Sequence, residues 1–246
     1  MRGGCPPGRG RIDRRPTTPG ARAWHQSEQL ISDAAGRRGV RLDTPAFVAV
    51  AANAVASLVM VLVLRPGLPG SGTTDADRLL YIQTHVVEWR LGWLSWNVAA
   101  ITLLSFFVAL TQCAKSDAPL VARVALLCAT AGLASDLAAE ALIMGLQPTA
   151  TAQLFPVLER ATLLLTGYLG NGLYSVCGGL LTWSLRAMLP RRLVLLAVPL
   201  WGAGLILSMV TMLDWIAGEI VVTGIVMTLF VLWTLLVGMW ARTSAS

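Results

Sequence analysis

Two carboxylates stand four residues apart in the apolar stretch ATAGLASDLAAEALIMG, residues 129–145. No basic residue lies between Asp136 and Glu140, and a spacing of four places both side chains on one face of a helix. A charge inside a membrane is costly, and two like charges one turn apart repel each other, so at least one acid must be paired, hydrated or protonated. The pair therefore predicts a polar surface that faces a helix-bundle interior or a wet cavity.

Candidate partners for these acids lie on the glycine-rich segment LTGYLGNGLYSVCGGLLTW, residues 165–183. Helical spacing puts Tyr168, Asn171 and Ser175 on one polar stripe, and Tyr174 lies on the adjacent stripe. Glycines let helices approach closely, so that hydroxyl and amide groups can bond across the interface. The candidate residues for a ligand, proton or cation site are Asp136, Glu140, Tyr168, Asn171, Tyr174, Arg160, Arg90 and Asn97.

Six acids within and next to the apolar runs collect in one half of the predicted bundle, which the distribution of basic residues described below assigns to the outer side. They are Glu88, Asp136, Glu140, Glu159, Asp214 and Glu219, and the bases Arg90, Arg160 and His85 stand against them. This distribution predicts a net-acidic cavity that opens outward. For Asp214 and Glu219, which lie close to water at a predicted turn, a solvated loop role is favoured.

Three roles for this acidic half stay open. In the first, Arg90 and Arg160 neutralise Glu140 and Glu159, and the polar residues only fasten the helices. In the second, the carboxylates bind a cation or relay protons. In the third, the cavity takes an organic ligand or performs catalysis.

Enzyme templates find little support in the sequence. A zinc site needs His and Cys ligands, but the chain has only two His, and one of them, His25, lies far from the apolar runs. There is no GxSxG motif, phosphate-binding loop or dinucleotide fingerprint, and a haem held between two buried His is excluded. We therefore expect no catalytic residues, metal centre or cofactor.

Composition places the protein in a membrane. The chain has 246 residues, of which 55% are hydrophobic and 13% charged, whereas soluble domains carry about 25% charged residues. The net charge of +6 does not indicate nucleic acid, because nine of the 19 bases lie in the first 41 residues and most others at the edges of apolar runs. The expected partners are membrane lipids and a small solute or cation, with no nucleic acid and with the oligomeric state open.

Six apolar runs, separated by proline and glycine, are each long enough to cross a bilayer core of about 30 Å, which takes about 20 helical residues. They span residues 46–64, 93–113, 119–146, 161–184, 193–213 and 217–240. Backbone groups in lipid must be satisfied internally, so these runs are predicted helices. The predicted fold is all-α: one bundle of six transmembrane helices over residues 44–242, preceded by a disordered basic tail over residues 1–43.

Basic residues set the predicted orientation. With the N-terminus inside, the inner segments hold 15 of the 19 bases, and the outer segments hold Arg65, Arg78, Arg90 and Arg160. Inner loops of membrane proteins are enriched in Lys and Arg, so both termini are predicted to be cytoplasmic.

The first outer loop contains a predicted amphipathic helix. Thr74 and Asp77 form a capping box, and an apolar face recurs every three or four residues after it. That face comprises Leu79, Ile82, Val86, Trp89, Trp93 and Trp96. The helix is expected to lie on the outer membrane surface or to extend the second span, and the Trp residues are interpreted as an interfacial aromatic belt.

The segments WRLGWLSW (89–96) and LTGYLGNGLYSVCG (165–178) resemble an uncharacterised class of bacterial six-span membrane proteins. The resemblance covers roughly residues 75–240. It implies a multi-pass protein of the bacterial inner membrane and supplies no catalytic residues. From the residues themselves we expect a transporter or sensor, linked to a small solute, a cation or protons; the alternative is a structural or accessory membrane subunit.

Overall fold

The computed structural model describes residues 42–114 and 119–244, and within these ranges every regular element is helical. The tail predicted over residues 1–43 lies, up to residue 41, outside the described residues. The α-helices are α1 (Asp43–Val59), α2 (Asp75–Thr84), α3 (Val86–Ala114), α4 (Pro119–Gly145), α5 (Phe155–Leu163), α6 (Asn171–Ser184), α7 (Arg191–Met212) and α8 (Ile216–Ser244). The structure also contains two π-helical segments, Met60–Leu64 and Leu164–Gly170. It has two 3₁₀ turns as well, Arg65–Gly67 and Gln147–Thr149.

The long helices pack as a closed ring in chain order. Each long helix contacts the next one, in the order α1, α3, α4, α6, α7 and α8. The last helix, α8, also contacts α1 and so closes the ring. One close contact that closes the ring is at Gly238 of α8, where an added Cβ would lie 3.0 Å from Ala46 of α1. The short helices α2 and α5 pack with the 3₁₀ turns at one end of the ring.

Among the residues that the structure describes, five helical stretches are long and apolar enough to cross a membrane. They are Asp43–Gly67, Val86–Ala114, Pro119–Thr149, Arg191–Met212 and Ile216–Ser244. Only 22–44% of the residues in their most apolar windows are buried inside the protein, so most of these residues are not sheltered by other helices. Large exposed side chains such as Leu62, Val198 and Val221 need apolar surroundings. These helices indicate a membrane-embedded protein.

The predicted fourth span, 161–184, is not one long α-helix. The chain is helical from Phe155 to Ser184, but the π-helical segment divides it into α5 and α6. Side chains bind carbonyls of this wide turn: Ser135 Oγ donates to Leu165 O at 2.7 Å, and Asn171 Nδ2 donates to Thr166 O at 3.2 Å. The count of six spans therefore stays a prediction.

The predicted short helix and its capping box are confirmed in α2, whereas its position on the outer side stays a prediction. The Asp77 amide donates to Thr74 Oγ1 at 3.2 Å, and the Thr74 amide donates back to Asp77 Oδ2 at 3.2 Å. The hydrogen bonds from Thr74 hold the pKa of Asp77 below its ordinary value. Because the folded-state pKa is lowered, this contribution is present above the ordinary carboxyl pKa and is lost as pH falls through the lowered one. The helix ends at Thr84, so α2 and α3 are separate helices.

The interpretation of the tryptophans as an interfacial belt is wrong for Trp89 and Trp93. Both are buried inside the protein, where Trp89 Nε1 donates to the carbonyl oxygen of Ile143 at 3.3 Å. The ring of Trp89 packs directly over Gly67, where any Cβ would collide with it. A glycine thus leaves room for a large ring between helices, and burial there offers more contact than the membrane boundary.

Candidate functional site

A cavity of about 470 Å³ lies inside the ring, and all six ring helices contribute to its wall. The deep wall is apolar and includes Phe107, Leu200, Trp201 and Phe230. The exposed lining residues are Val61, Arg65, Gly70, Ile220 and Gly224. All of them belong to the segment that follows α1 or to the N-terminal half of α8, so the cavity opens at that end of the ring.

The two acids of α4 line this cavity. Asp136 is 9% exposed and Glu140 is 5% exposed. Asp136 Oδ1 and Glu140 Oε2 have no hydrogen-bond partner among the residues that the structure describes. A buried polar atom without a partner loses its hydration without compensation, which costs about 1–3 kcal/mol and more for a charged group. The wall of the cavity therefore offers acceptor atoms that protein groups do not satisfy.

The groups around Asp136 come from α6 and the π-helical segment before it. The side chains of Thr166 and Tyr174 lie beside the carboxylate, yet neither reaches hydrogen-bond geometry with Oδ1. Gly170 allows the close packing, because a Cβ there would collide with Asp136 Oδ1. Gly132 on α4 makes room in the same way for the Tyr174 ring, 3.0 Å from its ideal Cβ.

The structure adds a third carboxylate, Glu219 near the N-terminus of α8. It is half-buried, lines the cavity, and its Oε2 has no partner among the described residues. The solvated loop role expected for Glu219 is therefore wrong, because the first turn of α8 faces the ring interior. Asp214 fits that role: its side chain is 63% exposed and it pairs with Arg160 at 3.0 Å.

The first of the three open roles, in which Arg90 and Arg160 neutralise Glu140 and Glu159, does not hold for these arginines, because their side chains have other partners. Arg90 is exposed and donates through Nε to the carbonyl oxygen of Met144 at 2.9 Å. Arg160 donates to the carbonyl oxygens of Thr211 and Met212, at 2.8 and 2.9 Å, and so fastens the turn after α7. In the described residues Arg65 is the only basic side chain on the main cavity wall.

Glu159 instead pairs with Arg78 of α2, in a smaller compartment of about 420 Å³. Arg78 is buried, donates to both carboxylate oxygens of Glu159 and to Asp75 at 2.8 Å, and stacks 5.3 Å from the Phe155 ring centre. Burial alone would lower the pKa of Arg78, but its hydrogen bonds to Glu159 and Asp75 outweigh burial and raise it. The two cavities share the wall residues Pro69, Gly70, Leu163 and Ile216, so this ion-pair compartment adjoins the mouth.

The predicted site residues divide into two groups. Asp136, Glu140, Asn171 and Tyr174 line the cavity, whereas Tyr168, Arg160, Arg90 and Asn97 do not. Tyr168 lies within the π-helical segment, whose wide turn changes the helical register that the spacing argument assumed.

Sequence reasoning missed further polar residues of the cavity wall. They are Asn53, Ser57, Arg65, Ser71, Thr166 and Thr223. Asn53 and Ser57 carried a usable signal, because they stand four residues apart in the first apolar run and so share a helix face. Arg65 and Thr223 carried none, since their place depends on how the ends of α1 and α8 pack.

These features define the class of protein. It is a membrane-embedded ring of helices around an internal cavity, and the carboxylates on the cavity wall have no basic partner among the described residues. In the described residues no three or more His, Cys, Asp or Glu side chains are placed to hold a metal ion together. No protein-family model, curated protein or solved structure matches this chain. The cavity and its carboxylates are therefore the features of this protein that point to a function.

Proposed function

We propose that this is a six-span protein of the bacterial plasma membrane, with both termini cytoplasmic, that binds a small solute or cation as a transporter or sensor. Continuous helix from Phe155 to Ser184 supports a sixth crossing, since 30 residues exceed the length that a bilayer core needs. The excess of basic residues on one side supports the orientation. The resemblance to six-span bacterial proteins supports the location.

The observation that carries the proposal is the pair of buried carboxylates on the cavity wall, each with one oxygen that has no hydrogen-bond partner among the described residues. Asp136 and Glu140 are more than nine-tenths buried, and neither acid takes part in the ion pairs that Arg78 and Arg160 form in the described part of the chain. If these acids only fastened helices, each would be expected to hold a partner, because unpaired buried charge destabilises a fold. A bound cation or proton supplies the missing compensation.

One observation favours the alternative of a structural or accessory subunit. Asp136 packs directly on the backbone of Gly170 and beside Tyr174, so it joins α4 to the π-helical segment and α6. If the protein is a structural subunit, Asp136→Asn should lower its stability, and no added cation should change the melting temperature of wild type.

Thermal unfolding of the detergent-purified protein across pH and a panel of Na⁺, K⁺ and Mg²⁺ salts tests the proposal. A ligand that binds only the folded state raises the melting temperature with its concentration. We expect a cation or pH response in wild type that Asp136→Asn and Glu140→Gln lose. Glu88→Gln is the matched control, because Glu88 is exposed and outside the cavity wall. No response in wild type, combined with early melting of both cavity variants, supports the structural alternative.

The topology is tested separately with reporter fusions. We expect a C-terminal fusion after residue 244 to report a cytoplasmic position, and a fusion within residues 147–153, in the connection between α4 and α5, to report an external one. A C-terminus on the outside would rule out six crossings from a cytoplasmic N-terminus.

A further inference from the structure

Resting on the proposed function, we propose that the ligand is an organic cation with an apolar body, bound between the carboxylates and the aromatic wall. The size of the cavity points this way. At about 470 Å³ it falls within the range of roughly 300–1,000 Å³ typical of sites for small organic molecules. A bare ion or a proton needs no enclosure of that volume.

Charge sets the sign of the ligand. Three carboxylates, Asp136, Glu140 and Glu219, line the cavity, and Arg65 at its mouth opposes them. Each of the three has a carboxylate oxygen without a hydrogen-bond partner among the described residues. Such a wall attracts cations and repels anions, and in low-dielectric surroundings this selection is stronger than in water.

Aromatic rings form a second part of the wall. They belong to Trp93, Trp96, Phe107, Tyr174, Trp201 and Phe230. Ring faces attract cations by about 0.5–2 kcal/mol each, and this attraction does not require the ligand to shed a tightly held water shell as an inorganic ion must. Carboxylates combined with aromatic rings are therefore suited to a substituted ammonium or phosphonium group rather than to a small metal ion.

Exposed apolar residues border the opening of the cavity. Val61 and Ile220 are 59% and 50% exposed, and they flank the opening together with Gly224. No side chain obstructs at Gly224, where an added Cβ would meet nothing within 4 Å. An opening bordered by apolar residues of two membrane helices admits an amphiphilic molecule from the membrane side.

Tetraphenylphosphonium is the probe for this inference, with tryptophan fluorescence and calorimetry of the purified protein as readouts. Tetraphenylborate has the same shape and the opposite charge, whereas tetramethylammonium has the charge without the apolar body. We expect saturable binding of tetraphenylphosphonium alone, weakened about tenfold or more by Glu140→Gln or Asp136→Asn, where tenfold corresponds to about 1.4 kcal/mol. Glu88→Gln should bind as wild type does.

The remaining outcomes show whether the inference fails alone or together with the proposed function. Equal binding by all variants, or equal binding of tetraphenylborate, means nonspecific partitioning and overturns the inference. A carboxylate-dependent response to inorganic cations or protons without phosphonium binding leaves the proposed function standing and removes the inference. If neither kind of ligand acts, both fall. Should Asp136→Asn fail to fold, Glu219→Gln replaces it, because Glu219 is only half-buried.

Discussion

Arg78 of α2 pairs with Glu159 of α5 and joins these two helices. Losing this buried pair should cost far more stability than losing the exposed pair of Arg78 with Asp75. The Arg78 side chain is 5% exposed and that of Glu159 is 16% exposed, whereas that of Asp75 is 62% exposed. Arg78→Met keeps an apolar stem over the Phe155 ring and removes the charge. The change therefore isolates the ionic contacts from the packing.

The magnitude follows from these exposures. Breaking a fully buried pair costs about 3–5 kcal/mol, and an exposed pair contributes about 0–1 kcal/mol. Glu159 keeps some contact with solvent, so we expect Arg78→Met to lower the free energy of unfolding by about 2–3 kcal/mol. Most of this loss comes from the pair of Arg78 with Glu159, because Asp75 is exposed and its charge is screened by solvent and salt.

Two double-mutant cycles measure how much each ion pair of Arg78 contributes to the free energy of unfolding. The free energy of unfolding would be determined in mild detergent for Arg78→Met, Glu159→Gln, Asp75→Asn and the two double variants that contain Arg78→Met. We expect a coupling of about 1.5 kcal/mol or more between Arg78 and Glu159, and about 0.5 kcal/mol or less between Arg78 and Asp75. Added salt should reduce only the second coupling.

Two results would refute the reasoning. If the Arg78 and Glu159 changes are simply additive, the buried ion pair does not join α2 to α5. If the two couplings are equal, burial does not decide the strength of these contacts.

Three further changes test the packing. Gly170→Ala should destabilise the protein by about 1–3 kcal/mol, because the new Cβ collides with Asp136. Gly179→Ala in α6 has open space and should be neutral or stabilising, so equal melting temperatures of the two variants would contradict this. Thr74→Ala should lower stability by about 1 kcal/mol through the lost cap of α2. We expect faster proteolysis of the segment between α1 and α2, and an unchanged rate would count against the capping role. Trp89→Ala should cost about 3–5 kcal/mol in denaturant unfolding, and a cost below about 1 kcal/mol would mean that the ring is not packed as described.

Much of the fold could be predicted because local sequence controls it. Apolar runs interrupted by proline and glycine indicate helices wherever they occur, and five of the six predicted spans appear as long apolar helices. The capping box needs only residues three apart, so Thr74 and Asp77 could be assigned without any tertiary information. The common helix face of Asp136 and Glu140 follows in the same way from their spacing.

The partners of each side chain depended on the tertiary structure. Arg78 takes Glu159 from 81 positions away, and no local pattern distinguishes that pairing from one with Arg160. The wide turn before Asn171 removes Tyr168 from the cavity wall by changing the register of one helix. A spacing argument assumes 3.6 residues per turn and fails where the turn widens.

Sequence by itself determined that the chain forms apolar helices carrying a few acids, because hydrophobicity and helical period are properties of neighbouring residues. Only the tertiary structure decided that Glu219 joins Asp136 and Glu140 on one wall and that Trp89 and Trp93 turn inward. Ring closure between α1 and α8 makes the cavity, and it brings together residues from all six ring helices. Contacts between residues so distant in the chain arise from packing geometry, which local residue patterns do not encode.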